Sequence, residues 1–474
     1  MKTIDKLVCS YIAIASLIYI PFCIDIPITG DEVYYHSTAQ LFPQLFKQLV
    51  LLDFENAKYT RSLIIGPGSL IPTTSLLLSP LTEFTSSLII FRLYMFALNL
   101  ALTVYLLKQI DHLFTYRVAL IFSVVSILCP LYTIFSFTFW GESLAGRLIV
   151  ILGLKLFYFI KTKDVSLSQL VATGLIMSGI LLCRNSYLVI IGLIPGLLFI
   201  INRVGQLSSN ITKLLLIPSI IALMGLSLWS IPISLLYGNF YLTTTTADTS
   251  PIYLYSDKKF KDEVLRYTNS EKFHWPAIYK YYYNKGIEQG ISFSDLVKRD
   301  KKQILNDLTF EKYRKAISRR LKASLTKSDL FLVRFKTETS DSSLISPKNF
   351  AMFYDLAIPT NTIIWYSLLS VWVVSFFLFD KKINLLSAFI IPFSIALTLA
   401  ISIHPFIFRA NPRHLYGLYP ILIFVFAYVA NGLINGSLSL SFGCLRQQIQ
   451  HYPILVGLRI ACALFVGAAV MVFF

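Results

Sequence analysis

Acidic residues are scarce in this chain: 25 Asp and Glu stand against 42 Lys and Arg, and charged residues of both signs fill only 14% of its 474 positions. Motifs are scarce as well. There is no P-loop and no GxGxxG, so no glycine-rich loop is set up to cradle a nucleotide phosphate. The six cysteines are scattered without a CxxC pair, which excludes a metal or redox pattern and a disulfide framework, and Cys9, Cys129, Cys183 and Cys462 lie inside apolar runs, where they read as packing. The formal charge of +17 comes with no RNA- or DNA-binding motif. Its basic residues sit mostly in short connectors and one long polar segment, and they read as topology signals and attraction to anionic headgroups rather than nucleic-acid contacts. The internal repeat that marks many transporters is absent. Near the N-terminus, Lys2 and Lys6 precede an apolar run from Leu7 to Ile24 with no small-x-small cleavage site, and Phe22 before Cys23 spoils a lipoprotein-type site, so the run reads as an uncleaved first span.

What the chain does have is apolar length. Hydrophobic residues make up 55% of it, mean hydropathy is +0.66, and the apolar residues fall in blocks of about 17 to 25, the length that crosses a bilayer as helix. Only helices and closed barrels satisfy the backbone in lipid, and these blocks lack the ten-residue alternation of barrel strands. The expected fold is therefore an all-α polytopic membrane protein of about eleven transmembrane helices with one partly helical extracytoplasmic domain. Spans are expected near 7–24, 88–107, 117–135, 143–160, 168–182, 187–201, 213–237, 359–379, 383–403, 415–433 and 454–474. Three parts follow: an N-terminal transmembrane module, 1–237, whose first loop covers 25–87; a polar loop domain, 238–358; and a C-terminal transmembrane module, 359–474. Lys108, Arg117, Lys161, Lys163, Arg203, Lys213, Lys381 and Arg446 mark the connectors assigned to the cytoplasm by the positive-inside rule. The first loop and the 238–358 segment then share the far side.

In the first loop, apolar residues at Leu41, Leu45, Phe46 and Leu49 with glutamines between them predict an interfacial helix over 37–52. The following stretch, 61–80, carries Gly66-Pro67-Gly68, Pro72 and Pro80, and is expected to be irregular or interfacial rather than a span. Within the polar segment, 257–266, 294–308 and 311–325 have helical spacing, and Tyr279 to Tyr283 is an aromatic cluster.

The residues that carry chemistry start with Gly30-Asp31-Glu32-Val33-Tyr34-Tyr35-His36, directly after the first span. Sugar transfer to a hydroxyl needs a positioned carboxylate to take its proton, and adjacent acids point in different directions. Asp31 is the candidate base; Glu32 is its partner, holding the acceptor or fixing the loop, and a solvated turn is the structural alternative. Arg92, Arg184, Arg409 and Arg413 all start or end spans on this same side, where the positive-inside rule does not put them. Guanidinium binds phosphate bidentately and keeps its charge, so a lipid-linked phosphate accounts for them; snorkelling at a helix end is the alternative for each. Glu142 opens the fourth span on that side, either as a functional acid or paired with Arg147. His36, His404 and His414 match no standard ligand spacing, so no metal and no other cofactor is expected.

Taken in order, these features resemble the GT-C glycosyltransferase superfamily, near the bacterial protein O-mannosyltransferases and the aminoarabinose transferases of lipid A. The residues that carry the resemblance are Asp31-Glu32 with Tyr35-His36, the Gly66-Pro67-Gly68 to Pro80 element leading into Arg92, Glu142-Ser143, the run Gly179 to Arg184, and Arg413-His414-Leu415-Tyr416 through Pro420. The family often has His-Pro-Pro where this chain has Gly66-Pro67-Gly68. The resemblance implies an enzyme of the bacterial plasma membrane with its site facing away from the cytoplasm. It implies inverting transfer from a polyprenyl-phosphate-linked sugar to a lipid, glycan or protein acceptor, with Asp31 and Glu32 catalytic and Tyr35, His36, Arg92, Glu142, Arg184, His404, Arg409 and Arg413 binding substrate. Membrane lipids are the other expected partners, and nucleic acid is not one. A lipid-linked glycan transporter or flippase, and an O-antigen polymerase or ligase, are the other functions that this layout suits.

Overall fold

The computed structural model describes residues 3–65, 73–163, 165–184, 187–205, 211–237, 240, 246–326, 330–338, 345–381, 385–404 and 416–473. The chain is an integral membrane protein built of α-helices. Among the described residues, seven helices are long and apolar enough to cross a membrane, or eight if one bent pair counts as a single span; three apolar helices are shorter.

The N-terminal half begins with α1 (Thr3–Cys23), followed by four short helices of the first loop: α2 (Glu32–Ala39), α3 (Leu41–Val50), α4 (Phe54–Ile65) and α5 (Thr73–Thr82). The expected single helix over 37–52 is in fact the end of α2 plus α3, and α3 exposes Phe46, Leu49 and Val50 as an interfacial helix would. Gly66-Pro67-Gly68 and Pro72 lie outside the described residues. On either side of them, Ile64 packs on Trp229 and Ile233, and Thr73 Oγ1 donates to the Leu182 carbonyl. At 12 and 10 residues, α4 and α5 are each well short of the roughly 20 that span a bilayer.

Helix α6 (Leu88–Leu113) crosses away from the first loop, and α7 (Tyr116–Leu128) returns, its first turn capped by the Thr115 hydroxyl. The sequence reads as one straight span over 117–135. The chain instead breaks at Cys129 and turns by 84° into α8 (Pro130–Ile134) and a single 3-10 turn, Phe135–Phe137. Pro130 supplies the reason: it cannot donate to the preceding turn, so it starts a new helix rather than continuing the old one. Helix α9 (Glu142–Thr162) is the centre of the bundle, with 83% of its span window buried. It is followed by α10 (Leu167–Cys183), which opens on a capping box between Ser166 and Gln169. Next come α11 (Ile190–Gly205) and α12 (Ile211–Tyr237). Helices α10 and α12 approach closely because Gly174 and Gly225 have no side chain: a Cβ on Gly174 would sit 2.7 Å from the Ile221 Cβ.

Between the two membrane parts lie α13 (Thr246–Tyr255), α14 (Lys258–Thr268), α15 (Trp275–Gln289), α16 (Phe293–Asn306), α17 (Phe310–Thr326) and α18 (Leu330–Glu338). Val264, Ile278, Tyr281, Tyr282, Leu296 and Val297 form a small core of their own here, so the tyrosine cluster is packing. The C-terminal part has α19 (Pro347–Ser375), α20 (Leu385–His404), α21 (Tyr419–Ile434), α22 (Phe442–His451) and α23 (Pro453–Phe473). Helix α19 starts twelve residues before the expected span. Two short strands, β1 (Phe379–Asp380) and β2 (Leu438–Ser439), pair antiparallel and tie the connectors after α19 and α21 together.

Candidate functional site

The loop after α1 turns at Gly30, whose φ of +56° suits glycine, and Asp31 is the N-cap of α2. Glu32, one residue on, is completely buried. Its Oε2 accepts from Thr29 N–H (3.1 Å) and from Arg92 Nη2 (3.2 Å), while Oε1 accepts from Phe139 N–H (2.7 Å) and from Arg92 Nη1. Arg92 is equally buried, and its other acceptors are the carbonyls of Ile26 (3.2 and 3.1 Å), Pro27 (3.1 Å) and Phe137 (3.0 Å). Its guanidinium also stands 4.3 Å over the Phe139 ring. Removing both charges from water costs several kcal/mol per ion, which only near-complete hydrogen bonding offsets, and here every guanidinium N–H direction and both carboxylate oxygens are used. Glu32 and Arg92 therefore clamp three separated stretches together: 26–32, the start of α6 and 137–139. Asp31 stays half-buried at the rim of this clamp.

His36 is on the next turn of α2, in edge contact with Phe91 (5.1 Å between centroids) and stacked on Phe139 (6.2 Å). Burial, then the charge of Arg92, hold its pKa below the ordinary imidazole value of 6.5. Tyr35 is buried on the same helix.

A second buried ion pair lies at the other end of the same short segment. Arg184 Nη2 is 2.7 Å from Glu142 Oε1. Missing side chains bring them together: a Cβ on Gly141 would be 2.4 Å from the Cys183 carbonyl oxygen, so only glycine lets the start of α9 meet the end of α10. A Cβ on Gly146 would likewise sit 2.6 Å from the Gly417 carbonyl. Tyr187, also buried, aims its hydroxyl at Gly417, where a Cβ would come within 1.9 Å of it.

Arg147 does not pair with Glu142. Five residues along a helix is about 140° of rotation, so the two side chains leave α9 in different directions. Arg147 instead donates to Thr103 Oγ1 (2.9 Å), Asn99 Oδ1 (3.0 Å), Ser136 Oγ (2.7 Å) and the carbonyls of Ser143 (2.9 Å) and Tyr132 (3.3 Å). No motif marks this buried cage in the sequence. Its signal was present in α6, where Arg92, Asn99 and Thr103 recur at seven- and four-residue spacing on one face.

Above the linking segment, Trp140 meets Phe331 (4.9 Å) and Phe335 (6.2 Å) of α18, and Phe135 meets Tyr416 (4.2 Å). Through α18 the long polar segment thus touches Trp140, which lies between the two ion pairs. No family model, no curated protein and no solved structure matches this chain. The geometry is what bears on function. It brings Asp31, Glu32, Tyr35, His36, Arg92, Glu142 and Arg184 to one end of the bundle. Arg409 and Arg413 fall outside the described residues, and His404 is the last residue of α20. Among the described residues, no group of three His, Cys, Asp or Glu is arranged to hold a metal ion.

Proposed function

We propose that this protein is a membrane glycosyltransferase of the GT-C type with about eleven spans, acting on the non-cytoplasmic face of a bacterial plasma membrane. It moves a sugar from a polyprenyl-phosphate donor to a hydroxyl acceptor. The acceptor oxygen attacks the anomeric carbon, the bond from that carbon to the phosphate oxygen breaks with inversion, and the acceptor proton passes to Asp31. The leaving group is the polyprenyl phosphate. Charge developing on it is stabilised by guanidinium groups, a role that fits Arg409 and Arg413 best because Arg92 is closed off by Glu32 and three carbonyls.

One observation carries this reading: of two adjacent carboxylates, one is fully buried and the other only partly. Glu32 is committed to a clamp that fixes the loop, while Asp31, the adjacent residue, is half-buried at the head of α2. A general base needs this combination of a fixed backbone and access to the reacting hydroxyl. Glu32 is then a positioning residue. The test is transfer from a panel of polyprenyl-phosphate sugars by the purified full chain in liposomes. Asp31→Asn is expected to abolish transfer with insertion intact, and an unchanged rate removes Asp31 from the mechanism.

A further inference from the structure

At the opposite end of the bundle, α23 lines a groove of about 380 Å³ with the connectors after α19 and α21. Its walls are apolar: Phe376, Phe377, Leu445, Ile460 and Leu464 among them. Arg459 stands in this lining, yet it is only 4% exposed. One of its terminal nitrogens donates to the carbonyls of Ser375 and Leu378 at the end of α19, and its guanidinium lies 4.3 Å over the Phe379 ring. Its Nε–H has no hydrogen-bond partner, and no carboxylate lies within ion-pair distance of it among the described residues. A buried guanidinium with an unused donor and no counter-charge is costly as it stands.

We infer that this groove is a binding site for an anionic phospholipid of the surrounding leaflet, with its phosphate on Arg459 and an acyl chain along the apolar wall. Three observations agree on that occupant. The groove is on α23, the least buried of the seven candidate spans among the described residues at 17%, so it faces outward from the bundle. Phe377, Leu440, Phe442 and Leu464 are more than half exposed there, which suits acyl chains and not water. The charge requirement is a single anion, and guanidinium binds phosphate through paired N–H groups. Lys381 and Arg446, both exposed on the flanking connectors, add attraction to an anionic surface. The inference is independent of the proposed glycosyl transfer.

The test is native mass spectrometry of the delipidated full chain given phosphatidylglycerol or phosphatidylcholine. The wild type is expected to retain phosphatidylglycerol selectively. Arg459→Gln should lower that retention about tenfold, the loss expected for one charge-assisted hydrogen bond, and leave the weak phosphatidylcholine signal unchanged. Leu464→Trp fills the groove from an exposed position without straining the core, and should lower phosphatidylglycerol retention with Arg459 intact. If Arg459 only caps the α19 carbonyls, its variant melts earlier but keeps the wild-type lipid preference, which overturns the inference. Equal retention of the two lipids by the wild type, or full retention by Leu464→Trp, overturns it too.

Discussion

The two ends of the bundle treat their ion pairs in opposite ways. At the first-loop end, Glu32 with Arg92 and Glu142 with Arg184 are buried as pairs, bracketing residues 137–142 and roofed by α18. At the other end the ion pair Asp5–Lys108 is 3.6 Å apart with side chains 37% and 52% exposed, and Lys161 caps the carbonyl of His112 at 3.0 Å in the open. Exposed pairs of this kind are worth about 0–1 kcal/mol, whereas breaking a buried one by removing a partner costs about 3–5 kcal/mol. The difference teaches where this protein has spent structural precision: on holding a loop rather than on closing its basic end.

Substitutions at the two ends should differ in cost accordingly. Arg92→Ala is the most damaging, because it leaves the Glu32 carboxylate buried without its counter-charge, held only by the Thr29 and Phe139 amides, and takes the guanidinium donors from the Ile26, Pro27 and Phe137 carbonyls; we expect a loss of about 3–5 kcal/mol, seen as collapsed detergent-solubilised yield and a much lower melting temperature. The double variant Glu32→Gln with Arg92→Leu should be less harmful than the sum of the single changes, which is the signature of a coupled pair. Gly146→Ala ranks next. Its new methyl must displace the Gly417 carbonyl, and overpacking of this kind costs about 1–3 kcal/mol in thermal unfolding. Asp5→Asn at the opposite end should change melting by no more than about 1 kcal/mol, and less in high salt.

A pH titration separates the ends in another way. His36 has a folded-state pKa below its unfolded value, so the unfolded chain binds the extra proton first and the stabilisation is complete only above about pH 6.5. Stability of the first-loop end should therefore fall as pH drops below 6.5, and His36→Phe should flatten that part of the melting profile. A profile identical in the variant would show that His36 is not responsible.

Much of this was legible in the amino-acid order, and the exceptions have physical reasons. Helix positions such as Leu88–Leu113 and Glu142–Thr162 follow directly from long apolar runs bounded by polar residues. The break before Pro130 was also written there, but an apolar run on both sides of the proline hides it from a hydropathy reading. Arg92 and Glu32 could be placed on one side of the membrane from the sequence; their pairing across 60 residues could not, because charge order says nothing about which guanidinium reaches which carboxylate. The glycine contacts at Gly141, Gly146 and Gly417 were equally hidden, since a glycine marks a close approach without naming its partner. The candidate site was thus visible as a set of residues and invisible as an arrangement.

The division of labour between the two adjacent acids is the centre of the account. It is tested most directly by comparing Asp31→Asn with Glu32→Gln in one liposome assay of sugar transfer from polyprenyl-phosphate donors, with melting temperature measured on the same samples. Asp31→Asn is expected to lose transfer while melting like the wild type, and Glu32→Gln to melt markedly earlier. Wild-type transfer by folded Asp31→Asn would contradict it.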